Sequence, residues 1–222
     1  MERVDSLMRE MKDLLRPLEE KILRHPYLAD LEGRKIGREK LRYFVGEQHH
    51  IITSDLRSVA LLLSRHGLPP GREFFWMVLQ GEVEALKGLD RFASALGVSA
   101  EELEGYELLP EAQAYKAYMA WLSIYGSAAE VAGAFLANFP AWGANCGRMK
   151  KALMEGYGFT GEDLYFFELF STPVADFEEK ARLVIDDGIS HGVETKAIKE
   201  ASRMLQGYEL MFWDALHRIS SG

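Results

Sequence analysis

The stretch after Ser127 has almost no polar face, and it constrains the fold more than any other part of the sequence. From Val131 to Ala144 the apolar side chains point in nearly every direction around a helix. A helix that is apolar on all sides is enclosed by others. Pro140 lies inside this stretch and removes a backbone hydrogen bond, which predicts a kink and a free carbonyl. The sequence therefore predicts a central helix with the rest of the chain packed around it.

Small residues surround Pro140 in this predicted central helix. They are Gly133, Ala137, Ala141, Gly143 and Ala144. Their size allows two interpretations: another helix packs closely against this face, or the face forms the wall of a pocket. The sequence leaves both interpretations open.

The rest of the chain shows the three- and four-residue spacing of apolar side chains that is typical of one-sided helices. Helices are predicted at about residues 4–22, 37–65, 72–96, 110–125, 161–170, 173–187 and 193–219. The first is expected to end near His25-Pro26, and Ser-x-x-Glu capping boxes predict helix starts at Ser99 and Ser127. No stretch alternates with period two, and the connections are short. The sequence thus predicts a single all-α domain over residues 1–222, a bundle of about eight helices.

Charge and composition argue against several classes of protein. Asp and Glu total 34 against 26 Lys and Arg, a formal net charge of −8, and no basic run offsets this balance. Because proteins that follow nucleic-acid phosphates need a basic surface, we expect no nucleic-acid partner. No segment approaches a membrane span, the first residues lack the apolar stretch of a secretory signal, and one cysteine cannot form an internal disulfide. We therefore expect a cytoplasmic protein with no membrane partner.

The second predicted helix carries a polar residue on its apolar stripe. Gln48 falls inside that stripe, with His49 and Asp55 at its borders. The positions assigned to the solvated face are Glu47, His50, Ser54 and Arg57. A buried polar group needs hydrogen-bond partners, so we expect Gln48 to belong to a polar network. That network could bind a ligand or only stabilise the packing. For His49 and Asp55, at the rim of the apolar stripe, hydrogen bonds to nearby groups are the simpler interpretation.

Glu209 is the strongest acid/base candidate in the sequence. On the last predicted helix its neighbours three, four and seven residues away are Leu205, Phe212, Trp213 and Leu216. Apolar surroundings disfavour the charged carboxylate and raise its pKa, so that Glu209 could hold a proton near neutral pH. The structural alternative is a salt bridge from Glu209 to a lysine or arginine of a facing helix.

Neither the lone cysteine nor the histidines form a recognisable catalytic motif. No nucleophile motif surrounds Cys146, and a free cysteine is commonly buried, so we do not expect thiol catalysis there. His25, His66 and His217 are placed at helix ends or on an exposed face, and we expect them to be solvated.

One acidic and histidine-containing stretch tests the possibility of a metal site. Asp187, His191 and Glu194 are spaced by four and three residues, which on one helix would align three ligands. Two glycines interrupt this stretch and favour a turn between the last two helices. The sequence therefore predicts no metal site and no cofactor.

Two segments carry a resemblance to a known family. The octet from Tyr208 to Ala215 (YELMFWDA) resembles the C-terminal signature of the TenA (thiaminase II) family. The early His25-Pro26-Tyr27, followed by the segment 39–44 (EKLRYF) and Gln48, is similar to the N-terminal segment of that family. The resemblance implies a haem-oxygenase-like all-α fold, a homo-oligomer, and a pocket at the bundle centre. It also implies cleavage of thiamin or hydrolysis of an aminopyrimidine derived from it.

Carried over residue by residue, the resemblance also shows a departure from the family. Glu209 matches the family's acid glutamate. The family's catalytic cysteine follows a proline on the central helix, whereas here Ala141 follows Pro140. Cys146 lies five residues further on, about 140° around the helix and about 7.5 Å along its axis, and cannot substitute simply. The chain thus resembles a branch of the family that lacks the cysteine.

Other pocket positions of the family differ as well. Its pyrimidine-binding aspartate aligns with Gln48, a nearby tyrosine with Ile51, and the tyrosine one turn after the cysteine with Asn145. Either Tyr115 or Tyr118 matches the tyrosine of the intervening helix, and the sequence does not decide between them.

The resemblance implies a hydrolase that cleaves a C–N bond of a small nitrogen heterocycle, and both the resemblance and the apolar neighbours of Glu209 favour that residue as the acid/base. The predicted substrate-binding residues are Gln48, Tyr115, Tyr118, Phe139, Ala141, Trp142, Asn145 and Phe212. Asp55 and Glu84 are the candidates for a second acid/base group. Two alternatives remain: a cofactorless or metal-dependent oxidase on the same fold, and a small-molecule binding protein without catalysis.

Overall fold

The computed structural model describes residues 2–220, and throughout this range the regular secondary structure is helical, without a β-strand. The helices are α1 (Glu2–Leu23), α2 (Pro26–Glu32), α3 (Leu41–Arg65), α4 (Gly71–Leu96), α5 (Ala100–Glu104), α6 (Pro110–Tyr125), α7 (Ala128–Tyr157), α8 (Tyr165–Ser171), α9 (Phe177–Ser190) and α10 (Thr195–Ser220), with a 3₁₀ turn at Arg38–Lys40. The predicted all-α fold is confirmed. None of these helices is both long and apolar enough to cross a membrane.

α7 occupies the centre of the bundle, as its apolar sequence predicts. It packs against α1, α2, α6, α8, α9 and α10, and it continues without interruption through Pro140. Ser127 begins it with the expected capping box, in which the serine hydroxyl accepts the backbone N–H of Glu130. Ser99 does the same for α5.

The small residues of α7 serve both purposes that the sequence leaves open. A Cβ on Gly143 would come within 2.6 Å of the carbonyl oxygen of Phe170, so α8 packs directly on this backbone. Together with Pro140 and Ala144, Gly143 also borders an open groove. Close packing and a pocket wall therefore lie side by side on the same helix.

The structure adds a helix that the sequence reasoning missed. Pro26 was interpreted only as the end of the first helix, but it occupies the first turn of α2. Proline suits that position because the N–H it lacks would have no helical partner. His25 caps α2, since its Nδ1 accepts the backbone N–H of Tyr27.

The expectation that His25 and His217 are solvated is wrong for His25 and incomplete for His217. His25 is buried, and its Nε2 lies 3.1 Å from Oδ1 of Asp214 on α10. Burial lowers the pKa of His25. His217 is half-buried, with Nε2 3.0 Å from Oδ2 of Asp30. Both histidines therefore tie α2 to α10, a contact between distant segments that helix-end position does not reveal.

The assignment of Glu47 to the solvated face of α3 is also wrong. Glu47 is completely buried beneath α6. Its carboxylate accepts the backbone N–H of Leu109 at 2.9 Å and a hydrogen bond from the side-chain amide of Gln113. α6 packs on this face of α3 through hydrogen bonds, so the buried residue there is polar. The sequence pattern of α3 therefore does not reveal that this face is buried.

Replacing Gly88 by alanine is expected to lower the free energy of unfolding by about 1–3 kcal/mol. A Cβ at this position would lie 2.8 Å from the backbone nitrogen of Phe166, and a backbone atom cannot move aside easily. Gly81 on the same helix is the matched control, since a Cβ there meets nothing within 4 Å. Gly81→Ala should instead stabilise by about 0.5–1 kcal/mol. Urea denaturation measures both, and equal effects of the two variants would contradict the proposed tight contact between α4 and α8.

Candidate active site

A small cavity of about 50 Å³ lies in the bundle, lined by residues of α3, α4, α6, α7, α8 and α10. The side chains that line it are Gln48, Ile51, Ile52, Asp55, Glu82, Tyr115, Asn138, Phe139, Trp142, Phe170, Glu209 and Phe212. Three of these residues carry carboxyl groups and five are aromatic. The cavity therefore combines acidic groups with aromatic walls.

α3 contributes four residues to the cavity at helical spacing. Gln48, Ile51, Ile52 and Asp55 are related by steps of three and four and share one face of the helix. Gln48 and Asp55 are both buried, and Asp55 Oδ1 has no hydrogen-bond partner within the described part of the chain. An unpartnered buried carboxyl oxygen at a cavity wall is available to a water molecule or a ligand.

Glu209 is held at the cavity by two neutral donors. Trp213 Nε1 donates to its Oε1 at 3.0 Å, and the side-chain amide of Asn138 donates to its Oε2. The salt bridge considered from the sequence is therefore not the arrangement observed. Burial raises the pKa of Glu209 to about 7, although both hydrogen bonds act to lower it. Each carboxyl oxygen keeps a second lone pair, which can carry a proton towards the cavity.

Asn138 organises the polar network behind Glu209, and the sequence reasoning missed it. Its amide donates to Gln206 Oε1 at 3.0 Å as well as to Glu209, while its Oδ1 accepts the Tyr115 hydroxyl at 3.4 Å. These contacts fix the orientation of the amide. The available signal was that Asn138 is an amide inside the apolar stretch of α7.

A second acidic group consists of Asp55 and Glu82, which are both buried. The pKa of Asp55 is raised well above its ordinary value by burial and then by the charge of Glu82, and a lesser effect of Lys116 lowers it. Burial raises the pKa of Glu82 to about 7. Two like charges in one buried place disfavour double ionisation, so the pair retains a proton at neutral pH.

Tyr115 faces all three acidic residues. Burial raises its pKa well above the ordinary value, and the charges of Asp55, Glu82 and Glu209 raise it further. Tyr115 is thus a neutral hydroxyl, and it donates to Asn138. Of the two tyrosines left open by the sequence, Tyr115 lines the cavity.

Several predicted site residues lie outside the cavity lining. Tyr118 stacks on Trp121 at 5.7 Å between ring centroids and contacts Tyr208. Asn145 is buried against α1, where its amide donates to the carbonyl oxygen of Ile22 at 3.2 Å. Ala141 is buried in the apolar core beside the cavity. Helix rotation and the packing of α1 on α7 decide these placements.

Two further residues considered from the sequence, Glu84 and Cys146, are also placed elsewhere. Glu84 lies on the surface, where it is paired with Lys87, and the carboxylate of α4 at the cavity is Glu82. Cys146 is buried in the core, and burial raises the pKa of its thiol well above the ordinary value. Because the thiolate is the nucleophile, such a cysteine is unreactive.

The stretch with possible metal-ligand spacing is divided as the sequence predicts. Asp187 lies in the last turn of α9, His191 follows its end, and Glu194 precedes α10. Asp187 and His191 are both largely exposed. Within residues 2–220 no group of three or more His, Cys, Asp or Glu side chains is arranged to hold a metal ion.

Comparison with known proteins gives one consistent result. A model of the TENA/THI-4/PQQC family matches residues 12–218. A TenA homologue from Pyrococcus furiosus is 20% identical, with a TM-score of 0.73, over 95% of this chain and 99% of that one. A TenA homolog from Pseudomonas syringae is 13% identical with a TM-score of 0.83, over 96% and 93% of the chains.

A domain of unknown function from Shewanella denitrificans, described as having a haem-oxygenase-like fold, has a TM-score of 0.77 at 14% identity over 95% of this chain and 92% of that one. No curated protein sequence matches. At these identities the structural likeness concerns the fold, and the haem-oxygenase-like fold expected from the sequence is confirmed.

Proposed function

This chain belongs to the TENA/THI-4/PQQC family, and we propose that it hydrolyses a C–N bond of a small nitrogen heterocycle, of the thiamin-derived aminopyrimidine class, by acid–base catalysis. The observation that carries this proposal is the burial of three carboxyl groups around one cavity. Two of them have a pKa of about 7, so that both a proton donor and a proton acceptor are available near neutral pH.

The acid in this proposal is Glu209, and the base is the pair Asp55 and Glu82. A water molecule attacks the carbon of the scissile bond, and Glu82 accepts its proton while a C–O bond forms. The C–N bond breaks, and Glu209 donates its proton to the leaving nitrogen. The net reaction consumes one water and yields a hydroxylated carbon and an amine, after which Glu82 returns its proton to Glu209 through solvent.

The remaining lining residues suit a flat, polar-edged ligand. Trp142, Phe139 and Phe212 offer aromatic surfaces on which a heterocycle can stack. Gln48 has both a donor and an acceptor for ring nitrogens or an exocyclic amine. A mainly apolar pocket with a few convergent polar groups is the usual form of a small-molecule site.

The reaction is tested by incubating the protein with thiamin and a panel of aminopyrimidines in ¹⁸O-labelled water. Hydrolysis places one ¹⁸O atom in the product at the former C–N carbon and releases an equivalent of amine, which mass spectrometry detects. Product without label, formed only when oxygen is present, would instead indicate an oxidase. Binding without product for the whole panel would favour a binding protein.

Replacing Cys146 by alanine is expected to leave kcat/KM within about twofold of the wild type. The thiol lies in the core and outside the cavity lining, so no proposed step depends on it. The lost packing should lower the free energy of unfolding by roughly 1 kcal/mol. Steady-state kinetics and urea denaturation measure the two effects. A large loss of kcat in a folded variant would show that thiol chemistry does contribute.

A further inference from the structure

A large groove lies beside the cavity, and no step of the proposed reaction uses it. It has a volume of about 760 Å³ and is bounded by α4, α7, α8 and the start of α9. Its apolar walls include Met77, Leu136, Pro140, Leu169, Val174 and Phe177. Besides Glu82, the carboxylates of this groove belong to Glu84 and Glu178.

The groove and the cavity adjoin each other. Glu82, Phe139 and Phe170 line both of them. The cavity of about 50 Å³ has room for about four water-sized groups, which accommodates the reacting edge of a heterocycle and little more. A further part of a ligand that reaches the three carboxyl groups has room in the adjoining groove, which shares Phe139 and Phe170 with the cavity.

We propose that the substrate is a nitrogen heterocycle with a bulky apolar substituent, which lies in the groove while the scissile C–N bond lies in the cavity. This inference rests on the proposed function and narrows its substrate class. The chemistry of the walls supports it, because aliphatic and aromatic side chains favour a hydrocarbon or aryl group over a charged one. The groove's volume is more than ten times that of the cavity, so the substituent occupies the larger share of the site.

The test compares two ligands that differ only in the substituent: an aminopyrimidine and the same ring with an n-butyl group. Binding is measured by calorimetry on the Glu209→Gln protein, so that neither ligand is consumed. The butyl compound should bind at least tenfold more tightly, since each buried methylene contributes about threefold to fourfold. Equal affinities for the two ligands would overturn the proposal.

Two leucine substitutions at helical glycines, each made in the Glu209→Gln protein, locate the effect. Gly81 lines the groove and its Cβ position is open, so Gly81→Leu should narrow the groove without strain and abolish the gain from the butyl group. Gly207 on α10 has an equally open Cβ position and lies outside both linings, so Gly207→Leu should keep the gain. Circular dichroism verifies that both variants fold. A gain that persists in Gly81→Leu would overturn the proposal.

The same variants separate other outcomes. If Gly81→Leu changes the molar mass measured by sedimentation, the groove is an interface between copies of this chain and the proposal fails. Turnover provides an independent result, because absent hydrolysis of both ligands by the wild type contradicts the proposed function without altering the binding comparison. Tighter binding of the butyl compound without hydrolysis would support the groove and refute the hydrolase.

Discussion

Glu209→Gln is expected to lower kcat by about 10²–10⁴-fold, the usual contribution of a positioned proton donor. Glutamine has nearly the same shape and keeps an oxygen to accept the Trp213 indole N–H, but it has no proton to give to the leaving nitrogen. Substrate binding should change little, so the loss should appear in kcat rather than in KM. Steady-state kinetics with the best substrate of the aminopyrimidine panel measures it.

The pH profile gives this prediction a second readout. Glu209 must be protonated to act as the acid, so the activity of the wild type should fall as the pH rises above about 7. Glu82 must be ionised to act as the base, so activity should also fall as the pH drops below about 7. In Glu209→Gln the alkaline limb should disappear. Glu200→Gln, which removes an exposed carboxylate from the same helix, is the control and should keep the full profile. An unchanged kcat in Glu209→Gln would refute its role.

Glu82→Gln is expected to raise the free energy of unfolding at pH 8 by up to about 3 kcal/mol relative to the wild type, and to change it little at pH 4.5. The folded protein holds the pKa of Glu82 at about 7, against 4.5 for the free carboxyl. As the pH rises from 4.5 to above 7, the Glu82 carboxyl ionises in the unfolded chain before it ionises in the folded protein. This ionisation stabilises the unfolded state relative to the folded state. The raised pKa of Glu82 therefore does not destabilise the fold in acid, and it destabilises the fold fully in alkali. The difference of 2.5 between the folded and free pKa values corresponds to about 3 kcal/mol. Glutamine does not ionise and escapes this cost.

Urea denaturation at both pH values measures the effect, and Glu84→Gln is the matched control. Glu84 lies two residues away on α4, is partly exposed and pairs with Lys87, which lowers its pKa. Its replacement should not produce the alkaline stabilisation. In the same Glu82→Gln protein, kcat should fall strongly because the base is lost. Equal pH dependence in Glu82→Gln and the wild type would show that Glu82 does not titrate as described.

The acidic residues of the cavity illustrate how far sequence reasoning reaches. Glu209 was found because its apolar neighbours lie on its own helix, at distances that helical geometry determines. Glu82 had a similar signal, since Val78, Ala85 and Leu89 place it on the buried side of α4, but the partly exposed Glu84 was named instead. Asp55 was assigned to a rim because it falls at the border of the apolar stripe of α3, and its partner Glu82 lies on another helix.

What the sequence by itself determined was whatever depends on residues within one or two helical turns. This includes the all-α fold, the capping boxes at Ser99 and Ser127, the central position of α7, and the apolar environment of Glu209. Such features follow from periodicity and local hydrogen bonds, which fix distances along a single helix.

Only the tertiary structure decided how faces of different helices meet. It buried Glu47 beneath α6, turned Asn145 towards α1, brought Asp55 and Glu82 together, and opened a groove beside the cavity. These outcomes depend on the rotation and crossing of helices far apart in the chain. Packing in three dimensions selects that rotation, and the pattern along one helix does not contain it.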